Sequence, residues 1–308
     1  MHSHHHSGGT GTILKWSLAA TLLFVVVEAV AGIEAGSLAL LSDAGHNFTD
    51  ALALLLAWFG FRLESKPADE VKTYGYHRAG VLAAFVNALA LVVLAVFILR
   101  ESYHRLLAPQ SVNELTMFVV AGLGLVLNTA IMWSLRRRQR HDLNVRSAYL
   151  HMLGDALGSV GILVGATVIH YTGWQRVDPL LSILIAILIV WTAWDVIKES
   201  LNILLEGLPR GMQLGGVLAS MRQVEGVLDV HDLHIWSLGS STHALSCHVR
   251  IEDVPPSESE AILRRLNKML CERFQIDHTT VQFEHAECAL SGNGCPISAP
   301  PASGAASL

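Results

Sequence analysis

Two short polar patterns inside apolar stretches of the chain could bind a metal ion. His46 and Asp50 form the first pattern, His151 and Asp155 form the second, and Ala-Leu follows each. Residues four apart lie on one face of an α-helix, about 6 Å apart along the axis, so each pattern would present an imidazole beside a carboxylate. Two such faces turned toward each other would supply two nitrogen and two oxygen ligands. That tetrahedral set suits a divalent metal, zinc first of all.

The apolar surroundings decide between two interpretations of these patterns. A single His-Asp pair of this spacing on a soluble helix is commonly a surface hydrogen bond. In hydrocarbon, an ionisable group is costly unless it lines a cavity or meets a partner. Because the pattern occurs twice in apolar sequence, it predicts a shared metal site.

Membrane-spanning helices must position these residues. The chain has 308 residues, of which 52% are hydrophobic and 15% charged, and a mean hydropathy of +0.44. This composition is too apolar for an ordinary soluble domain and indicates a membrane protein in a lipid bilayer with a soluble appendage. A helix crosses hydrocarbon with about 20 apolar residues. Six stretches have roughly this length: 13–32, 38–61, 79–99, 115–135, 147–171 and 180–197.

Other features of these stretches support packed helices. Glu28 and Asp43 lie within the apolar sequence, where they could either assist proton movement or form hydrogen bonds between helices. Four glycines, at positions 154, 158, 161 and 165, recur at intervals of three or four residues, as in helices that pack closely. Since the fifth stretch must carry His151 as deep as His46, we expect its helix to begin before the apolar run, with the extra turn supplied by residues 144–149.

The distribution of Lys and Arg predicts the orientation of the chain in the membrane. Lys and Arg are frequent between the second and third stretches and between the fourth and fifth, while the opposite side has only Arg100, Arg105 and Arg176. Both termini are therefore predicted to be cytoplasmic. The net charge of −5 is modest, but basic residues gather at the ends of the apolar stretches and acidic residues in the last hundred positions, which argues against nucleic acid as a partner. Residues 1–12 form a His-rich tail, interpreted either as a native metal-collecting segment or as a relic of cloning. This tail has no basic residue typical of a signal peptide, so the first apolar stretch is expected to stay in the protein as a membrane helix.

The sequence after Pro209 predicts a small α+β domain. A helix at 212–224, strands at 228–238 and 243–252, a helix from Ser257 and a strand at 279–283 give the order αββαβ, with helices on one face of the sheet. The predicted domains are thus 1–12, a six-helix membrane domain at 13–206, a cytoplasmic domain at 209–287 and a flexible tail at 288–308. The four cysteines all follow Pro209 and face the cytosol, which favours free thiols or metal ligands over disulfides.

Four segments together resemble the cation diffusion facilitator family, most closely its bacterial zinc exporters and zinc, cadmium and cobalt resistance proteins. They are residues 37–46, the second pattern at 151–155, residues 204–209 and residues 230–236. The resemblance implies a homodimeric metal–proton antiporter of the bacterial inner membrane, with six helices and a metallochaperone-like cytoplasmic domain. It implies zinc as the transported and regulatory ion, protons as counter-ion, and the transport ligands His46, Asp50, His151 and Asp155.

The same resemblance implies further metal sites. His234, His248 and Glu284 match a site at the cytoplasmic dimer interface, although a lone histidine on a strand can also be structural. His77 and His278 match a site between the membrane and cytoplasmic parts. Cys288 and Cys295 resemble a pair that binds a second ion, and an idle pair is the alternative. Arg78 and Glu206 match a charge interlock of the dimer. His46 argues for zinc against manganese, while cobalt, cadmium and nickel stay open.

The chemistry of the ligands distinguishes three functions: an antiporter, an intramembrane metalloenzyme and a metal-sensing receptor. Zinc requires deprotonated imidazoles, so a site exposed alternately to each side and binding either zinc or protons is an antiporter. An intramembrane metalloenzyme would need a general base beside an open metal position, and the sequence has no His-Glu-x-x-His motif. A metal-sensing receptor predicts tight binding in the cytoplasmic domain without net flux. The sequence favours the antiporter.

Overall fold

A computed structural model describes residues 8–64, 66, 68–136, 143–239 and 242–286. Its membrane part has six long helices within these ranges: α1 (Gly8–Ala35), α2 (Leu38–Glu64), α3 (Arg78–Leu107), α4 (Glu114–Leu135), α5 (Leu143–Thr172) and α6 (Val177–Leu204). The C-terminal part contains α7 (Leu214–Arg222), β1 (Asp229–Ser237), β2 (His243–Arg250), α8 (Pro256–Phe274) and β3 (Ile276–Glu284). The order αββαβ after a helical domain confirms the predicted fold class. The αββαβ elements form one compact unit with Trp58–Phe85, and most of the helical residues form another.

Several helices have the length and composition of membrane spans. Within the described residues, four qualify: α3, α4, the Tyr149–Thr172 part of α5, and α6. Large apolar side chains project outward from these helices, as Trp191 does with 69% of its surface exposed. Lipid can cover such side chains, whereas water would not. α5 begins at Leu143, one residue before the predicted range of 144–149, so the helix does start about a turn before its apolar run.

Small residues bring α5 close to its neighbours at two places. A Cβ atom on Gly158 would lie 3.6 Å from Oδ1 of Asp43 on α2, and one on Gly165 would clash with Cδ1 of Leu181 on α6. Gly154 and Gly161 have no described neighbour within 4 Å of such an atom. The predicted packing role therefore applies to two of the four glycines, and one of these two faces the helix that carries His46.

The cytoplasmic sheet has the strand order β1-β2-β3, with β1 antiparallel and β3 parallel to β2. One face is buried under α7 and α8, and its core includes Val217, Met221, Leu245, Leu266 and Leu270. Apolar residues at helical spacing on α8 and at alternate positions on the strands produce this arrangement. The helices thus cover one face, as predicted, and the polar side chains of the strands occupy the other.

An irregularity in β1 determines which histidines share the polar face. His231 pairs with His248, but His234 pairs with Ser246, and the register shifts between them. Asp232, inside this shift, has a φ of 51°, in the left-handed region. Residues three apart point to opposite faces of an uninterrupted strand, whereas one extra residue in a bulge returns them to the same face. Both histidines therefore face away from the core.

Candidate metal sites

The four residues of the two membrane patterns lie close together. Oδ2 of Asp50 is 3.5 Å from Nε2 of His46 and 3.4 Å from Nε2 of His151. The same His151 nitrogen is 3.7 Å from Oδ2 of Asp155. The two imidazole rings have centroids 6.4 Å apart and planes at 71°. α2 and α5 thus present all four side chains to one region, linked through Asp50 and His151.

The separations of the contacting pairs approach those between neighbouring ligands of one small cation, but no three of the four side chains place their ligand atoms all within 4.8 Å of one another. In a tetrahedral zinc site with bonds of about 2.0–2.1 Å, neighbouring ligand atoms lie about 3.3 Å apart. The three measured N–O separations are slightly longer than this value. Nδ1 of His46 and Oδ2 of Asp50 are buried and form no hydrogen bond with any described residue. A buried polar atom without a partner costs about 1–3 kcal/mol, and coordination by Asp50 Oδ2 would remove one such cost.

The side chains of this region differ in how much of their surface is exposed. The Asp155 side chain is 5% exposed, whereas that of His151 is 44% exposed. Behind them, Glu28 on α1 is buried and accepts a hydrogen bond from Nδ2 of Asn47 at 3.3 Å. Asn47 follows His46 directly, so this bond ties α1 to the part of α2 that carries the ligands. Two roles were predicted for Glu28, proton movement and hydrogen bonding between helices. The contact with Asn47 is a hydrogen bond of the second kind.

A second cluster lies on the polar face of the cytoplasmic sheet. His231, His248 and Glu284 are the one group among the described residues whose potential ligand atoms all lie within 4.8 Å of one another. Glu284 places one oxygen 3.1 Å from Nε2 of His231 and the other 3.1 Å from Nδ1 of His248. His231 Nε2 and Glu284 Oε2 are buried and lack hydrogen-bond geometry despite their proximity. Two nitrogens and a carboxylate at this spacing fit a zinc ion.

The structure joins His248 and Glu284 with His231 and not with the predicted His234. Nε2 of His234 lies 3.1 Å from Oδ1 of Asp232, whose other oxygen is 3.9 Å from Nε2 of His248. His234 is therefore a neighbour of the cluster through Asp232. Sequence reasoning assumed regular alternation along β1 and so omitted His231. The aspartate between the histidines could have indicated a bulge, because Asp tolerates left-handed backbone better than most residues.

His77 and His278 line a common cavity of about 590 Å³, together with Tyr74 and Asp277. The ring of Tyr74 meets that of His278 edge-on, with centroids 5.3 Å apart. The loop before α3 is held by Asp69, whose carboxylate accepts hydrogen bonds from the backbone amides of residues 71 and 72 and from the Tyr76 hydroxyl. These bonds hold the pKa of Asp69 below its usual value.

The remaining predicted residues are placed as follows. Nη2 of Arg78 lies 2.9 Å from Oε1 of Glu206 within one chain. Cys288 and Cys295 lie outside the described residues. The two described cysteines, Cys247 and Cys271, are free. Burial raises the pKa of the Cys247 thiol to about 12, so this thiol stays protonated and unreactive near neutral pH.

Comparison with known proteins gives matches along nearly the whole chain. Residues 14–205 match the cation efflux transmembrane domain, and residues 209–286 match the cytoplasmic domain of cation efflux proteins. The metal cation efflux system protein CzcD of Cupriavidus metallidurans is 42% identical over 301 residues, which cover 98% of this chain and 95% of that protein.

Two further relatives have similar coverage. The cadmium, cobalt and zinc/H(+)-K(+) antiporter of Bacillus subtilis is 38% identical over 287 residues, 92% of each chain. The zinc transporter ZitB of Escherichia coli is 38% identical over 295 residues, 93% of each chain. Among solved structures, the metal-bound C-terminal domain of the CzcD transporter from Cupriavidus metallidurans is 38% identical. The match covers 24% of this chain and 99% of the solved CzcD domain, with a TM-score of 0.22.

Proposed function

The chain belongs to the cation diffusion facilitator family of bacterial metal-efflux transporters, and we propose that it exports zinc in exchange for protons through a site formed by His46, Asp50, His151 and Asp155. It is a multi-pass membrane transporter with a cytoplasmic C-terminal domain, and not an enzyme. The observation that carries the proposed site is the position of Asp50, whose Oδ2 lies within 3.5 Å of imidazoles on two different helices. Cadmium and cobalt are further candidate substrates, because the Bacillus subtilis relative is named for them.

The proton exchange follows from the ligand types. Zinc binds the neutral imidazole and the carboxylate, so loading expels any proton that these groups carry. Protons that return from the other side compete for the same atoms and release the metal. With both imidazoles neutral, the two carboxylates balance the charge of the ion, which reduces the cost of holding it in a low-dielectric region.

Asp50 is proposed to control whether the site is closed. Its Oδ2 connects the α2 half of the site to the α5 half, and the other linking nitrogen belongs to His151. A relative movement of the two helices that separates these atoms would leave two ligands on each side. Four-ligand and two-ligand states differ strongly in zinc affinity, and alternating access requires such a difference.

The cytoplasmic domain is proposed to bind a regulatory zinc ion through His231, His248 and Glu284. The cluster lies on the face of the sheet that the helices leave uncovered, and the domain matches the cytoplasmic domain of cation efflux proteins. We propose that this face also forms the homodimer interface, with Asp232 and His234 beside the ion. His77 and His278 remain a predicted second site, and the N-terminus is predicted to be cytoplasmic in an inner-membrane protein.

Proteoliposomes with a zinc indicator and a pH dye in the lumen test the transport proposal. A zinc gradient should drive zinc flux coupled to opposite proton flux, and Asp50→Ala or Asp155→Ala should reduce both at least about 100-fold, since a transport ligand is lost. Glu114→Gln, at the start of α4, is the control and should retain flux. Undiminished exchange in either ligand variant refutes the site, and metal binding without flux in the native chain favours the receptor hypothesis.

A further inference from the structure

Helix α2, which carries His46 and Asp50, is capped by a residue of another helix. The first turn of an α-helix has backbone amides without intrahelical partners. Asp178, in the first turn of α6, accepts hydrogen bonds from the amides of Leu38 at 2.8 Å and Ala39 at 3.1 Å. It also accepts one from the Ser37 hydroxyl at 2.6 Å. Ser37 Oγ in turn accepts from the amide of Leu40 at 3.2 Å.

The contacts require a carboxylate at position 178. Leu38 N, Ala39 N and Ser37 Oγ all donate, and together they occupy both oxygens of Asp178. An amide side chain has the same shape but offers a donor in place of one acceptor. Its NH₂ group would therefore oppose a backbone N–H at the start of α2. Substitution of Asp178 by asparagine changes the chemistry of the cap while conserving its volume.

The buried charge is compensated by a third helix. Asp178 and Ser37 are both 0% exposed. Nη1 of Arg105, near the end of α3, lies 3.9 Å from Oδ2 of Asp178 and donates to the carbonyl of Gly36 at 2.5 Å. Glu101 orients this arginine through a 2.9 Å contact with Nε. The start of α2 is thus fixed by charged, buried hydrogen bonds to two other helices, a strong form of hydrogen bonding.

This cap involves the first turn of α6, the end of that helix that is farther along the chain from the cytoplasmic domain. α6 runs from Val177 to Leu204 and leads into the cytoplasmic domain, so its first turn lies at the opposite end of the span. At 1.5 Å per residue, Asp50 lies about 18 Å along α2 from Leu38. A tilt of about 10° around Leu38 would move Asp50 by about 3 Å, more than the length of a zinc–ligand bond.

We propose that Asp178 is a positioning residue that anchors the non-cytoplasmic end of α2, so that His46 and Asp50 move relative to α5 by tilting about this end and not by sliding along the helix axis. Sliding would break two backbone hydrogen bonds and leave a buried carboxylate without its donors, whereas tilting keeps them. The proposal rests on the transport site proposed above, because it assigns a cause to the placement of two of its ligands.

Hydrogen–deuterium exchange on the full-length protein in nanodiscs tests the anchor without a transport assay. In the native chain, a peptide covering residues 36–45 should show the same high protection factor, after correction for the pH dependence of intrinsic amide exchange, with saturating zinc at pH 7.5 and without zinc at pH 6. Residues in the cytoplasmic half of α2 should differ between these conditions. Loss of protection at 36–45 in one of the two conditions overturns the pivot. This measurement requires no variant.

Asp178→Asn is the second part of the test, with Glu114→Gln as control because Glu114 pairs with His170 and contacts neither Asp178 nor Arg105. Asp178→Asn should raise the exchange rate of 36–45 at least tenfold and raise the KM for zinc at least fivefold, with a smaller change in kcat, because the ligands are less well placed. Glu114→Gln should change both by less than threefold. Unchanged exchange at 36–45 in a folded Asp178→Asn protein overturns the proposal. Absence of zinc flux in the native chain would refute the proposed function. The anchor would then be tested by hydrogen–deuterium exchange at residues 36–45 alone.

Discussion

Replacing His231 by glutamine should remove most of the zinc affinity of the cytoplasmic domain. His231 supplies one of three atoms that converge there, and its Nε2 lies 3.1 Å from an oxygen of Glu284. Loss of a partner behind a ligand typically reduces metal affinity 10–100-fold, so loss of a ligand itself should reach about 100-fold. A hundredfold change corresponds to about 2.8 kcal/mol. Because the His231 side chain is 29% exposed, water can replace it in part, and we do not expect a larger effect.

The assay is a zinc titration of the purified full-length protein in competition with a chelating indicator. It uses an Asp155→Ala background, which weakens the transport site and leaves the cytoplasmic cluster as the main tight site. His234→Gln is the matched control, because it removes the same chemical group three residues away. Since His234 contacts Asp232 and not Glu284, its loss should weaken binding by less than about tenfold, the lower end of the effect of an outer partner.

The two variants together decide between the bulged and the regular strand. If His234→Gln weakens zinc binding as much as His231→Gln or more, the assignment of ligands on β1 is wrong. If neither variant changes the affinity while Glu284→Gln does, the carboxylate binds zinc without the β1 histidines. Circular dichroism of each variant checks that the sheet has formed.

Three further effects should be measurable. Gly165→Ala should lower the melting temperature in detergent and Gly161→Ala should not, because the added methyl meets Leu181 in the first case and open space in the second. Leu266→Ala should destabilise the cytoplasmic domain by about 2–5 kcal/mol in urea unfolding, since this side chain is fully buried. Burial lowers the pKa of His243 below its ordinary value of 6.5. The unfolded chain then binds more protons just below pH 6.5, so stability should fall there, and fall less in His243→Gln.

The membrane site was predictable because its residues follow the most regular period in proteins. A helix places His46 and Asp50 on one face whatever surrounds it, and the same holds for the pair on α5. The early start of α5 followed from the requirement that both pairs reach a similar depth. What the pattern did not contain is the link between helices: that Asp50, and not Asp155, contacts both imidazoles depends on packing between α2 and α5.

The residues that sequence reasoning missed depend on local departures from regularity or on distant partners. His231 joins the cytoplasmic cluster because of a bulge at Asp232, and a single added residue reverses the face of every side chain before it. Asp178 is separated from Ser37 by 141 positions in the chain, and its sequence context resembles an ordinary first-turn aspartate. Only the fold shows that its carboxylate caps a different helix.

The number of carboxylates at the two sites follows from where each must hold its ion. The proposed membrane site combines two imidazoles, which bind zinc in their neutral form, with Asp50 and Asp155, so that a bound divalent ion would give a neutral complex. Among the described residues, Glu284 is the carboxylate that groups with both histidines of the cytoplasmic cluster, and Asp232 lies farther out, 3.9 Å from His248, so the direct ligands would balance only part of the ion's charge. The remaining charge is tolerable beside water but costly in a low-dielectric span. We therefore expect both acids of the proposed membrane site to be needed for transport, for charge neutrality more than for ligand count.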